Sequence, residues 1–296
     1  MRDYKSDIRP DEINHQSKHR LYVEGDEDSF DYFALNILFE NKLSIKPLGP
    51  VFYLKSAAEA FYRDHPNYYY LVDRDHHDDK FIQDCWDNFR TQKKHNLIVW
   101  KRREIENYFI EPDYLINSEY CKVSKKELKR KILELSKTRL FLDAANYVVI
   151  AVREELKQNW IQKFSNLEEF PNEDAALEKL TTAIEFKNQA SKVSEKVSTN
   201  YLKERFNKHL HLMTGGQKNI SFGTGSWLNL IEGKNVLSQI INTSFGVPVV
   251  DGTQLSIKEK RNLIIWDLLK VKKNFPSDFI ELKQLIQARL NAGNIE

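Results

Sequence analysis

At 296 residues, with 41% hydrophobic and 12% aromatic side chains, the chain is long enough to bury a substantial core as one elaborated domain or two. Its 45 basic and 43 acidic residues nearly cancel, which excludes a uniformly basic nucleic-acid coat and leaves local segregation of charge as the only route to such a surface. Two cysteines, Cys85 and Cys121, are too few for a disulfide framework or a cysteine zinc cluster.

No apolar run approaches the roughly twenty residues of a membrane span. The first twenty residues carry no apolar stretch of the secretory type, so a cytoplasmic protein that does not engage membrane is the expectation. Residues 1–18 read as an N-terminal arm.

From His19 the texture becomes β-rich and stops on carboxylates. Arg20 to Val23 has strand composition and ends at Glu24 and Gly25. Apolar residues then recur at helical spacing, Phe30, Phe33, Ala34, Ile37 and Leu38, which predicts a helix over Ser29 to Asn41. A strand is expected over Leu43 to Pro47 and a helix over Val51 to Asp64. Tyr68 to Asp73 is a second aromatic and aliphatic run that stops on Asp73-Arg74-Asp75, followed by a helix over Lys80 to Thr91 and a strand over Asn96 to Trp100. Alternation of this kind predicts an α/β fold with a parallel sheet over residues 19–118.

In an open parallel sheet, ligands sit beyond the carboxyl ends of the strands. Glu24, Asp28, Asp73 and Asp75 are therefore expected to converge. Like charges in one cleft raise one another's pKa and need compensation. Oxygen donors without cysteine suit Mg²⁺ or Mn²⁺. Solvated turns are the ordinary role of such acids, and Asp26, Asp78 and Asp79 are assigned to it. After the fourth strand come Lys101, Arg102, Arg103, Glu104 and Glu106. Spacing allows one glutamate to face the cleft, and surface pairing with Lys101 to Arg103 is the preferred reading for Glu104. His76 and His77 follow the Asp-x-Asp, where a solvated loop pair is the ordinary alternative to metal ligands.

Residues 119–212 turn helical and read as an α-helical insertion. Its first helix is basic, with Lys125, Lys126, Lys129 and Arg130; a solvated helix face and a phosphate-tracking surface both remain open, and Lys101 and Arg102 join the nucleic-acid-binding candidates. Residues 213–250 comprise a glycine-rich loop, which matches neither a P-loop nor a dinucleotide fingerprint, and then Gly233-Lys234 just before a helix over Val236 to Ile241. Residues 251–296 hold two helices, near Ile257 to Val271 and Pro276 to Leu290, read as packing or partner surface.

Taken together, Leu21-Tyr22-Val23-Glu24-Gly25 and Leu71-Val72-Asp73-Arg74-Asp75 resemble the two hallmarks of the toprim domain. Asp28, Glu106 in IENYFIEP and Lys234 in LIEGKNVL match the further positions of toprim nucleases of the overcoming-lysogenization-defect type. The chain is most similar to the AriB-like effectors of the PARIS anti-phage system. The resemblance covers residues near 19 to 115 well and 226 to 245 moderately.

The resemblance implies a Rossmann-like toprim sheet, one or two Mg²⁺ or Mn²⁺ ions held by Glu24, Asp28, Asp73, Asp75 and Glu106, and catalysis by Glu24 and Lys234. It implies an abortive-infection endonuclease that attacks host nucleic acid, with tRNA the substrate, when released from an ABC-type ATPase. A homodimer is one open assembly. Alternatives are a DNA-nicking endonuclease, a primase-like nucleotidyl transferase and a non-catalytic partner module.

Overall fold

A computed structural model describes residues 19–40, 42–49, 51–75, 77–91, 95–157, 172, 174, 175, 178, 182, 184–247 and 254–292. The expected N-terminal arm and His76 lie outside them. The chain divides into two compact units, one comprising the residues up to Leu135 together with those from Glu232 onward, the other Ser136–Ile231.

The first unit is built on β1 (Arg20–Val23), α1 (Phe30–Phe39), β2 (Ser44–Pro47), α2 (Val51–Phe61), β3 (Tyr68–Val72), α3 (Asp79–Thr91) and β4 (Leu97–Val99). The strands form one parallel sheet in the order β2-β1-β3-β4, flanked by helices. Leu21 pairs with Ile45 on one side and Tyr69 on the other, and Leu71 pairs with Ile98. Both neighbours of β1 are reached through helices, as parallel pairing requires. Leu21, Val23, Tyr69 to Val72 and Leu97 to Val99 are buried, so the central strands read as continuous hydrophobic runs.

Beyond β4 the chain makes a 3-10 turn, Ile105–Tyr108, then α4 (Pro112–Leu115) and α5 (Lys125–Lys157), which carries the chain into the second unit. The second unit continues with α6 (Ile184–Lys196), α7 (Thr199–Thr214) and α8 (Trp227–Leu230). Inside it Tyr147 stacks on His209 with ring centroids 3.6 Å apart. Glu155 is bridged by Lys196 at 2.9 Å and Arg205 at 2.5 Å. The division falls within α5, whereas the helical insertion was expected from residue 119 to 212, with the glycine-rich loop outside it. The loop belongs to the second unit, and the basic start of α5 to the first.

The first unit resumes with α9 (Gly233–Ser244), α10 (Ile257–Trp266), a π-helical turn (Asp267–Val271) and α11 (Ser277–Ala292). Phe279 of α11 stacks on Trp100 and meets Tyr108 and Phe109 edge-on, and the Tyr108 hydroxyl donates to Asp278 at 2.9 Å. This aromatic cluster pins the Ile105–Tyr108 turn beside the end of β4. Among the described residues no helix is long and apolar enough to cross a membrane.

Candidate active site

Strand order decides where the site lies. The chain leaves β1 toward β2 on one side and returns to β3 on the other, so the connections diverge between β1 and β3, the topological switch point of an open parallel sheet. Glu24 follows β1 and Asp73 follows β3, and the Asp73 amide donates to Glu24 Oε1 at 2.9 Å. The two strand ends that sequence reading paired are therefore joined directly.

Four further segments complete a cavity of about 870 Å³ at this edge, lined by Glu24, Asp31, Asp73, Glu104 and Glu106 among others, with Lys234 and Arg261. Asp31 lies in the first turn of α1, whose start is set by Ser29, the hydroxyl of which accepts the Tyr32 amide at 3.3 Å. The chain reaches that cap through Gly25, at φ +87°, where a Cβ would stand 2.9 Å from Ser29 Cβ.

Glu104 and Glu106 are held by the turn after β4. Asn107 Oδ1 accepts the Glu104 amide at 3.1 Å and closes the turn. Arg74, the residue between the two aspartates, is buried and points away from the acids: its guanidinium donates to the Lys101 and His77 carbonyls and pairs with Asp79 at 2.8 Å. Its amide donates to the Arg103 carbonyl. The middle residue of the Asp-x-Asp thus ties the loop after β3 to the loop after β4.

Lys234 enters on α9. That helix begins at Gly233, not at Val236, so Lys234 lies within its first turn, and its amide donates to Glu104 Oε2 at 3.0 Å. Close approach explains the glycine: a Cβ at Gly233 would lie 2.6 Å from Asn107 Oδ1. Helix α10, opened by a reciprocal Ser256 and Glu259 cap, packs on α9 and α1. It brings Lys258 and Arg261, three apart on one face, to the same cavity.

The electrostatics follow from this crowding. Burial pushes Glu24 up from 4.5 to about 7; the Asp73 amide opposes the rise, Asp75 adds to it and Lys55 relieves it. Burial, then the charges of Glu106 and Glu24, raise Asp31 to about 8, against the Trp100 indole N–H that donates to it at 3.4 Å. Asp73 lies well above the usual carboxylate range through burial and the charges of Asp31, Glu24, Glu104 and Glu106. Glu104 rises to about 7 through burial and Glu106, opposed by the Lys234 amide. Glu106 is raised by burial and relieved by Arg261 and Lys234. Such shifts are what carboxylates in one cleft show before a counter-charge is supplied.

Of the acids expected from sequence, Glu24, Asp28, Asp73 and Glu106 line the cavity, Asp28 exposed and paired with Lys258 at 3.3 Å. Asp75, in the left-handed region at φ 48°, acts on Glu24 through its charge and is not a lining residue. His77 contacts Lys55 Nζ at 2.5 Å and stacks on Phe81.

Two expectations are corrected. Glu104 is a lining residue, because Lys101 is taken by Asp278 and Glu281 and Arg102 by Glu111, leaving only Arg103 at 3.8 Å. The C-terminal helices are more than packing, since α10 lines the cavity. Asp31 and Arg261 were missed. An acid in a first helical turn is the visible signal for the former; nothing local marks the latter.

The basic candidates are engaged with acids at several positions: Lys125 with Asp113, and Arg130 with Glu127 at 2.6 Å and Glu134 at 2.7 Å. Lys126 is exposed on the same helix, which also carries Lys129.

The donor set suits a hard divalent cation, since it consists of carboxylate oxygens in excess over cations and is held in a state that added positive charge would relieve. Among the described residues no three His, Cys, Asp or Glu side chains stand close enough to enclose an ion. No protein-family model matches the chain, and no curated protein or solved structure is significantly similar to it.

Proposed function

We propose that this chain is a toprim-type, metal-dependent endonuclease of the overcoming-lysogenization-defect kind, acting as an anti-phage effector that cleaves phosphodiester bonds of host nucleic acid, with tRNA the proposed substrate. One observation carries the chemistry: eight carboxyl side chains and three cations line one cavity at the sheet's switch point. The defence role, release from an ABC-type ATPase and the AriB-like assignment rest on the sequence resemblance.

Glu24, Asp73 and Glu106 would hold Mg²⁺ or Mn²⁺, with Asp31 and Glu104 beside them and Asp28 and Asp75 at the margin. The ion would supply an activated water and offset charge on the phosphoryl oxygens. Glu24 has Oε1 fixed by the Asp73 amide, which leaves Oε2 to take a proton from an attacking water. Lys234 is set in a helix whose amide is anchored on Glu104, so its ammonium works from a fixed base to neutralise charge on the cleaved phosphate.

Expression of the chain without a partner, followed by sequencing of total RNA and inspection of plasmid DNA, tests the reading. A discrete tRNA break that disappears in Glu24→Ala is expected. Nicked plasmid with intact RNA would move the assignment to a DNA endonuclease. Unchanged toxicity in a Glu24→Ala, Asp73→Ala double variant would refute an enzyme.

A further inference from the structure

Helix α10 presents a cation whose hydrogen-bonding capacity the fold uses only in part. The Arg261 guanidinium lies over the Phe30 ring, 4.4 Å from the centroid, which fixes its plane. Its side chain is only 12% exposed, yet the ion pair from Nη1 to Glu106 Oε1 spans 3.4 Å, and Nε is buried without a hydrogen-bond partner.

A buried donor left unmet costs more than an average hydrogen bond gains. A guanidinium is a planar fork of donors that matches two oxygens of one phosphate. Arg261 faces the cavity, so the missing acceptor has a path to it. Lys258, three residues earlier, is 45% exposed, and its pair with the 86% exposed Asp28 is of the solvent-screened kind that a stronger anion displaces. With Lys234 on the adjoining α9, these residues bring three cations to the cavity that holds the strand-end acids.

We propose that Arg261 holds a backbone phosphate of the nucleic acid beside the one that is cleaved, with Lys258 guiding the strand at the mouth. The assignment rests on the nuclease reading above. It makes Arg261 a substrate-binding residue and gives α10 a role in recognition.

The test is binding of fluorescently labelled RNA stem-loops and DNA duplexes to the full chain in metal-free buffer over a salt series. Arg261→Gln is expected to weaken binding about tenfold or more. It should also reduce the slope of log affinity against log salt by roughly 0.7 to 0.9, one phosphate contact. Arg261→Lys should recover the slope and only part of the affinity, because it keeps the charge and loses the fork.

The salt slope separates this from a structural ion pair, whose loss would lower affinity without removing one phosphate contact's share of the slope. Equal affinity and slope for Arg261→Gln and the unaltered chain would overturn the assignment alone, provided the unaltered chain cleaves with Mg²⁺ or Mn²⁺. If the unaltered chain neither binds nor cleaves RNA or DNA, the nuclease reading and the assignment fall together.

Discussion

Replacing Glu24 by glutamine removes one charge from the crowded cleft and keeps an acceptor for the Asp73 amide. In the folded chain Glu24 titrates at about 7, against 4.5 for an ordinary glutamate. A carboxyl whose pKa is higher folded than unfolded contributes stability that is complete below the unfolded value and is lost as pH rises through the folded one. The window therefore runs from about 4.5 to 7, and above it the loss from this single group is on the order of 3 kcal/mol.

Glu24→Gln does not ionise, so it should match the unaltered chain near pH 4.5 and exceed it at pH 8. At roughly 2–4 °C per kcal/mol for a unit of this size, the gain in Tm at pH 8 is about 6–12 °C. Calorimetry in EDTA across that range measures it. Added Mn²⁺ should raise the Tm of the unaltered chain at pH 8 more than that of the variant. An offset between the two proteins that is the same at pH 4.5 and pH 8, or a variant less stable at pH 8, would refute the account of a carboxyl raised first by burial and then by its acidic neighbour.

Other perturbations separate chemistry from architecture. Lys234→Ala should reduce cleavage by on the order of a hundredfold with an unchanged circular dichroism spectrum, since the anchoring of α9 on Glu104 uses the backbone amide. Gly233→Ala should destabilise by about 1–3 kcal/mol in urea unfolding, because its methyl meets Asn107 and must push α9 off the turn. Asp28→Asn removes an exposed pair and should change stability by less than about 0.5 kcal/mol in the same assay.

Sequence made the sheet legible because β3 and β4 are short, wholly apolar or aromatic runs, almost entirely buried, which leaves little room for another reading. Glu24 and Asp73 were found because strand ends mark positions along the chain, whereas Glu106 and Lys234 were singled out by the family resemblance. Asp31 was hidden by its ordinary placement in a first helical turn, where acids are common for reasons of the helix dipole alone. Glu104 was misread because three cations precede it, and only the tertiary contacts of Lys101 and Arg102 with α11 and Glu111 show that they are engaged elsewhere. Arg261 left no trace, since its role depends on α10 crossing α1, a contact that no periodicity encodes. The basic start of α5 continues as one helix to Lys157, because no glycine or proline interrupts it.

Gly25 and Gly233 stand next to Glu24 and Lys234, and each fills its place by lacking an atom. In a saturation mutagenesis screen, the two walls of the cleft should therefore appear as two intolerant doublets with different causes. Glu24 and Lys234 variants would accumulate as inert protein, whereas Gly25 and Gly233 variants would be depleted from the soluble fraction. Scoring abundance alongside phenotype would resolve each doublet into one residue that reacts and one that makes room.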